Sequence, residues 1–66
     1  MNDALKNREI IIELQQYGNL VKVSAVDALT FTEVSIQAPK ATAQSIMERN
    51  VLMRLEYVMR KKGLIA

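Results

Sequence analysis

The chain has 66 residues, half of them hydrophobic and 24% charged, which suits one globular domain near the lower size limit for folding without metal or disulfide. It contains no cysteine and no histidine, which excludes disulfide scaffolds, cysteine nucleophiles, zinc fingers, haem attachment and Ser-His-Asp catalysis. Nine basic and seven acidic side chains leave a net charge of +2, a smaller surplus than nucleic-acid binders concentrate on one surface.

Residues 1–7 have mixed polarity and no period, and are expected to form a flexible N-terminus ahead of a single domain over 8–66. From Arg8 to Gln16 the chain is β-rich, with Ile10, Ile12 and Leu14 alternating against Glu9, Glu13 and Gln15, and with Ile11 out of step. Gly18-Asn19 suits a two-residue hairpin turn in which the glycine takes positive φ first. Leu20 to Asp27 is the second strand, with Val21, Val23 and Ala25 on one face. Ala28 to Phe31 reads as a four-residue turn that Asp27 can cap through its side chain. Thr32 to Ala38 is the third strand, with Val34, Ile36 and Ala38 on one face, and Pro39 ends its pairing.

Register tests this reading. A Gly18-Asn19 turn sets Leu14 opposite Val23 and Ile12 opposite Ala25. A four-residue turn after Asp27 sets Ala25 opposite Val34, Val23 opposite Ile36 and Val21 opposite Ala38. Both hairpins then place the same apolar residues on one side, an agreement that a one-residue slip would break.

After Thr42 the period changes. Ala43, Met47, Val51, Leu55 and Val58 follow helical spacing, with Leu52 and Met59 widening the stripe. Thr42 is the expected N-cap, with Pro39 as an alternative start, and Gly63 is the expected C-cap, for a helix of about twenty residues. The predicted architecture is α+β: a three-stranded antiparallel β-meander followed by one long C-terminal helix packed on one sheet face. Its core is Ile10, Ile12, Leu14, Val21, Val23, Ala25, Val34 and Ile36 against Met47, Val51, Leu55 and Val58.

Apolar residues remain after that core is filled. On a helical wheel Ile46, Met53 and Tyr57 line up opposite the core stripe. On the outer sheet face Ile11 and Val26 oppose each other, with Tyr17 and Leu20 beside the turn. Two patterned apolar patches on so small a chain point to a homo-oligomer, with a two-fold dimer as the default. The candidate interface is therefore Ile46, Met53, Tyr57, Ile11 and Val26, and a different protein partner is a further option.

Residues 1–38 carry three basic and five acidic side chains, and residues 39–66 carry six basic and two acidic. Within the basic half, Arg60-Lys61-Lys62 is a candidate anion contact, although cations at a helix C-terminus complement its dipole without any ligand. Lys40, Arg49 and Arg54 extend that surface, giving a nucleic-acid accessory role as the alternative function. The strands are acidic and poor in aromatics, which argues against readout by the sheet. The carboxylates form no catalytic constellation: Glu13 is placed to pair diagonally with Lys22, and Glu48 and Glu56 rim the core stripe. Ser24, Ser35 and Ser45 lack a base, and a core this thin encloses no pocket. The reading is no enzyme, no catalytic residue, no cofactor and no metal, and Met53 is the one methionine left as a surface contact. A minor subunit of an enzyme whose catalytic chain lies elsewhere is a third possibility. No apolar run exceeds three residues, as in Ile10-Ile11-Ile12, so neither a transmembrane span nor a signal-peptide core is expected, and a cytoplasmic location is.

The runs Val21-Lys22-Val23-Ser24-Ala25-Val26-Asp27-Ala28 and Thr32-Glu33-Val34-Ser35-Ile36, then Pro39, then Arg54-Leu55-Glu56-Tyr57-Val58-Met59-Arg60-Lys61-Lys62-Gly63, resemble a family of short, uncharacterised alphaproteobacterial proteins. The resemblance spans about Arg8 to Gly63, and Leu55-Glu56-Tyr57-Val58 with the basic end is its most distinctive part. It implies no activity. Members of that family often carry Gly where this chain has Phe31, at a turn position that favours positive φ. A phenylalanine there implies a strained or rebuilt turn, or an anchor against a neighbour.

Overall fold

The computed structural model describes residues 3–66. Three strands, β1 (Ile10–Tyr17), β2 (Leu20–Asp27) and β3 (Glu33–Pro39), form an antiparallel sheet in the order β1-β2-β3, and α1 (Gln44–Lys61) packs against β3 and β2. The chain is α+β with βββα order. Alternation drives the strands: odd-numbered β2 residues and even-numbered β1 and β3 residues face the helix, and the others face outward.

Both hairpins have the expected register. Leu14 faces Val23 and Ile12 faces Ala25, while Ala25 faces Val34, Val23 faces Ile36 and Val21 faces Ala38. Gly18 has φ +58 and Asn19 does not share that sign, the pattern of a two-residue turn with glycine first. Ile11, out of step in the sequence, lies on the outer face opposite Val26.

Val21, Val23, Ala25, Val34, Ala38, Met47, Val51, Leu55 and Met59 are buried between the sheet and α1. Three expectations about the core need correction. Leu14 is 39% exposed, because α1 lies over β2 and β3 and leaves the far end of β1 uncovered. Met59, one position past Val58, is the fully buried residue at the helix end, since the stripe repeats every fourth residue from Met47. The third correction concerns the N-terminus. Residues Asp3–Leu5 form a 3-10 turn, and Leu5 is completely buried in the core. The expected flexible segment 1–7 thus supplies a core side chain at position 5, while Met1 and Asn2 lie outside the described residues.

The helix has 18 residues, starting one later than a Thr42 cap requires. Thr42 instead closes a turn by donating its N–H to the Pro39 carbonyl at 2.9 Å, and Pro39 is the last residue of β3, not a helix start. The N-cap is Ala43, which has no side-chain acceptor to offer. The other end is well closed. Lys62 is the C-cap, Gly63 has φ +75, Gly63 N–H donates to the Arg60 carbonyl (3.0 Å) and Leu64 N–H to the Met59 carbonyl (2.9 Å). This is a Schellman motif, and it turns Ile65 back onto the core.

The β2–β3 turn has a residue in the wrong conformation for its type. Phe31 has φ 60, and its N–H donates to the Asp27 carbonyl at 2.8 Å. Phe31 is 80% exposed, so no described residue anchors its ring. A left-handed conformation costs an L-residue about 1–2 kcal/mol, and glycine's extra chain entropy returns about 0.5–1 kcal/mol of that relief. Phe31→Gly is therefore expected to stabilise the domain by about 0.5–1 kcal/mol. Urea denaturation checks this, and a destabilised Phe31→Gly would show that the ring makes a contact within the fold.

Candidate interaction surfaces

On the outer side of α1, Ile46, Met53 and Tyr57 are 41%, 55% and 53% exposed and share one line, as their spacing requires. Tyr57 is not bare. The Arg54 guanidinium sits 5.6 Å from its ring centroid and the Lys61 ammonium 5.7 Å, from one turn before and one turn after. The stripe thus presents an aromatic ring between two cations, flanked by two aliphatic side chains.

On the opposite side of the molecule, Ile11 is exposed and Val26 half-buried, facing each other across β1 and β2. Tyr17 and Leu20 extend that outer surface and face each other at the turn. The helix stripe and the sheet patch lie on opposite sides of the core, so a single contact cannot cover both. On the outer sheet face a polar stretch separates Ile11 and Val26 from Tyr17 and Leu20. A surface depression of about 300 Å³ is lined by Glu13, Leu14, Gln15, Lys22, Ser24 and Glu33. The expected Glu13–Lys22 pair does not form: among the described residues the ion pairs are Arg8–Asp27 and Glu56–Arg60. A second, more apolar depression of about 430 Å³ lies beside Asn19, Pro39, Lys40 and Ala41.

The basic helix end is partly committed within the chain. Arg60 pairs with Glu56 at 2.9 Å and donates from Nε to the Ala66 carbonyl at 3.0 Å, and Lys61 lies over Tyr57. Lys62 is the C-cap residue. The other helix carboxylate, Glu48, accepts from the Gln44 amide at 2.8 Å. Among the described residues no group of three or more acidic, histidine or cysteine side chains could hold a metal, and no helix is long and apolar enough to cross a membrane.

One polar cluster went unrecognised in the sequence. Asp27 is fully buried, and Arg8 grips it with two hydrogen bonds, Nε to Oδ1 at 2.9 Å and Nη2 to Oδ2 at 3.0 Å. The same Oδ2 accepts from the Thr30 backbone N–H (3.0 Å) and hydroxyl (2.8 Å), and the Thr30 hydroxyl also meets that of Thr32 at 2.8 Å. The capping of the turn by Asp27 was legible, but its ion pair was not. The Arg8 guanidinium holds the Asp27 carboxyl at about 2, below its ordinary 3.8, against a burial effect that raises it, with the Thr30 bonds helping. The bridge fastens the segment before β1 to the β2–β3 turn, and so it fixes the loop that displays Leu29 and Phe31, 78% and 80% exposed.

Residues 7–62 match the model of a family described as a domain of unknown function, DUF6898. The chain belongs to this family. The match covers all three strands and the helix, and leaves out the 3-10 turn and the last four residues. It agrees with the resemblance carried by the strand phrases and by Leu55-Glu56-Tyr57-Val58, and it assigns no activity. No curated protein and no solved structure matches the chain.

Proposed function

We propose that this domain is a small non-enzymatic interaction module of the cytoplasm, which self-associates and serves as an adaptor or accessory subunit. One observation carries the reading: large apolar side chains stand exposed in rows on both sides of a two-layer fold, and no described element remains to cover them. The helix row Ile46, Met53, Tyr57 and the sheet pair Ile11, Val26 are two such surfaces, and the uncovered face of β1 joins them. Isolated exposed apolar residues need no explanation, whereas rows at the spacing of a helix or strand do. Sedimentation equilibrium at tens of micromolar tests this. The expected mass is a multiple of the 7.5 kDa chain, and a clean 7.5 kDa species overturns the self-association.

The alternative, a nucleic-acid accessory protein, draws on Lys40, Arg49, Arg54, Arg60, Lys61 and Lys62. Three of these cations, Arg54, Arg60 and Lys61, already face groups of the same chain, so the interaction module is the better-supported reading. Steeply salt-dependent retention on heparin would favour the alternative.

A further inference from the structure

We propose that two copies of this chain join through β1, edge to edge and antiparallel, with Ile12 on the two-fold axis, to make one six-stranded sheet with both helices on the same face. The inference rests on the self-association proposed above and names the surface that performs it.

In a two-residue hairpin the residues flanking the turn, Tyr17 and Leu20, form a hydrogen-bonded pair, so the odd-numbered residues of β1 bond to β2. The Ala28 N–H donating to the Glu9 carbonyl at 3.0 Å continues that series. The N–H and C=O groups of Ile10, Ile12 and Leu14 therefore point to the free edge. Their side chains belong to the helix-facing row, yet Ile10 and Ile12 are only half-buried and Leu14 is exposed, because α1 sits over the other two strands. One edge thus combines unpaired backbone groups with an uncovered apolar row, the combination that recruits another strand. The opposite edge differs. The β3 groups that face outward there belong to Glu33, Ser35 and Gln37, Pro39 has no N–H to offer, and Val34 and Ala38 are already buried.

The identity of the recruited strand follows from β1 read backwards. With Ile12 opposite the partner's Ile12, Ile10 falls opposite the partner's Leu14 and Leu14 opposite the partner's Ile10. The helix-facing row is then apolar throughout and about six backbone hydrogen bonds close across the axis. On the outer face Glu13 meets the partner's Ile11, and Glu9 meets the partner's Gln15, so no carboxylate stands directly opposite another. Glu13 does lie diagonal to its own copy, and Lys22 on β2 lies diagonal to each. Neighbouring registers are worse. Setting Ile12 opposite the partner's Leu14 brings the two Glu13 side chains face to face. Setting Ile10 opposite the partner's Ile12 brings Glu9 against the partner's Glu13. Setting Leu14 opposite the partner's Leu14 puts Gln16 into the apolar row against the partner's Ile12. Charge and apolar matching select the same alignment, and a strand that complements itself in one register points to a second copy.

The test uses the full chain in sedimentation equilibrium at tens of micromolar, with circular dichroism to confirm folding. Ile12→Pro removes an outward N–H that no bond among the described residues uses, and Leu14→Lys places a charge in the uncovered row. Both are expected to weaken the dimer at least about tenfold and leave folded monomers, while Tyr57→Asp remains dimeric. Because the chain has no cysteine, register is read by single cysteines: under mild oxidation Ile12→Cys is expected to give a cross-linked dimer and Leu14→Cys none. A wild-type monomer overturns both this inference and the self-association beneath it. A wild-type dimer that survives Ile12→Pro and Leu14→Lys, or that is lost in Tyr57→Asp alone, overturns the β1 interface and leaves self-association standing. Cross-linking of Leu14→Cys in place of Ile12→Cys overturns the register.

Discussion

Replacing Asp27 by alanine is expected to cost about 2–3 kcal/mol at neutral pH, a large share of the roughly 3–10 kcal/mol that a domain of this length has in total. The loss has two parts. Thr30 loses the acceptor of both its backbone N–H and its hydroxyl, around which the β2–β3 turn is built, and Arg8 loses both of its hydrogen bonds. Arg8 is 19% exposed and can reach water, which keeps the cost below that of a charge stranded with no exit. The pH dependence follows from the sign of the Asp27 shift. Its carboxyl is depressed in the folded state, from 3.8 to about 2. The folded chain thus favours the ionised form, and the stability this contributes is fully present above pH 3.8. It is lost as pH falls from 3.8 toward 2, by roughly 2 kcal/mol. Urea midpoints measured between pH 6 and pH 2 are expected to fall in that window for the wild type and to fall less for Asp27→Asn. Arg8→Met separates the causes. It removes the strongest influence lowering the Asp27 carboxyl while burial still pushes that carboxyl up, so the acid loss shrinks even though the domain at neutral pH is weaker. An acid loss equal in Asp27→Asn and wild type would assign the pH dependence to other carboxylates.

The strands and their partners were legible because two local signals agree. Gly18-Asn19 fixes one turn, the four residues after Asp27 fix the other, and both return Val21, Val23 and Ala25 to the same side. The helix was legible from its four-residue stripe, though its start was not. Thr42 is a good capping residue type, but a turn closed on Pro39 uses its backbone and leaves the cap to Ala43. Two of the hidden features depend on how distant segments meet, which no periodicity announces. Arg8 and Asp27 are nineteen positions apart, and nothing in the charge pattern distinguishes that pair from Glu9 or Lys22. The exposure of Leu14 depends on where the helix axis lies over the sheet, which alternation cannot show. The helix stripe Ile46, Met53, Tyr57 was read correctly as exposed, but its cations were not. Arg54 and Lys61 sit at three- and four-residue spacing from Tyr57, and that signal was present in the sequence.

Leu5→Ala is expected to cost about 3 kcal/mol, as much as a substitution in the middle of the sheet. Leu5 is fully buried although it lies ahead of the first strand, and its segment has no repeating pattern that would announce a core position. Removing a buried leucine to its β-carbon costs about 2–5 kcal/mol, depending on how far the site collapses. A terminal segment has a second way to respond, which is to peel away. Peeling is opposed here by the Arg8 N–H bonding to the Leu5 carbonyl at 3.2 Å and by the Arg8 side chain held on Asp27. The segment is therefore anchored three residues past Leu5, and the cavity at Leu5 cannot be relieved without straining the ion pair. The two sites are expected to couple: Leu5→Ala combined with Asp27→Ala should cost less than the sum of the single losses, because the second change releases a segment already loosened by the first. Guanidinium or urea unfolding of the four chains gives this directly. Strict additivity would show that Leu5 and the Arg8–Asp27 bridge act independently. A Leu5→Ala variant as stable as wild type would mean that residues 3–7 do not pack on the core in solution. Loss of the amide protection of Ile11 and Glu13, whose N–H groups bond to β2, in Leu5→Ala would show that peeling reaches the start of β1, the strand proposed to meet its own copy.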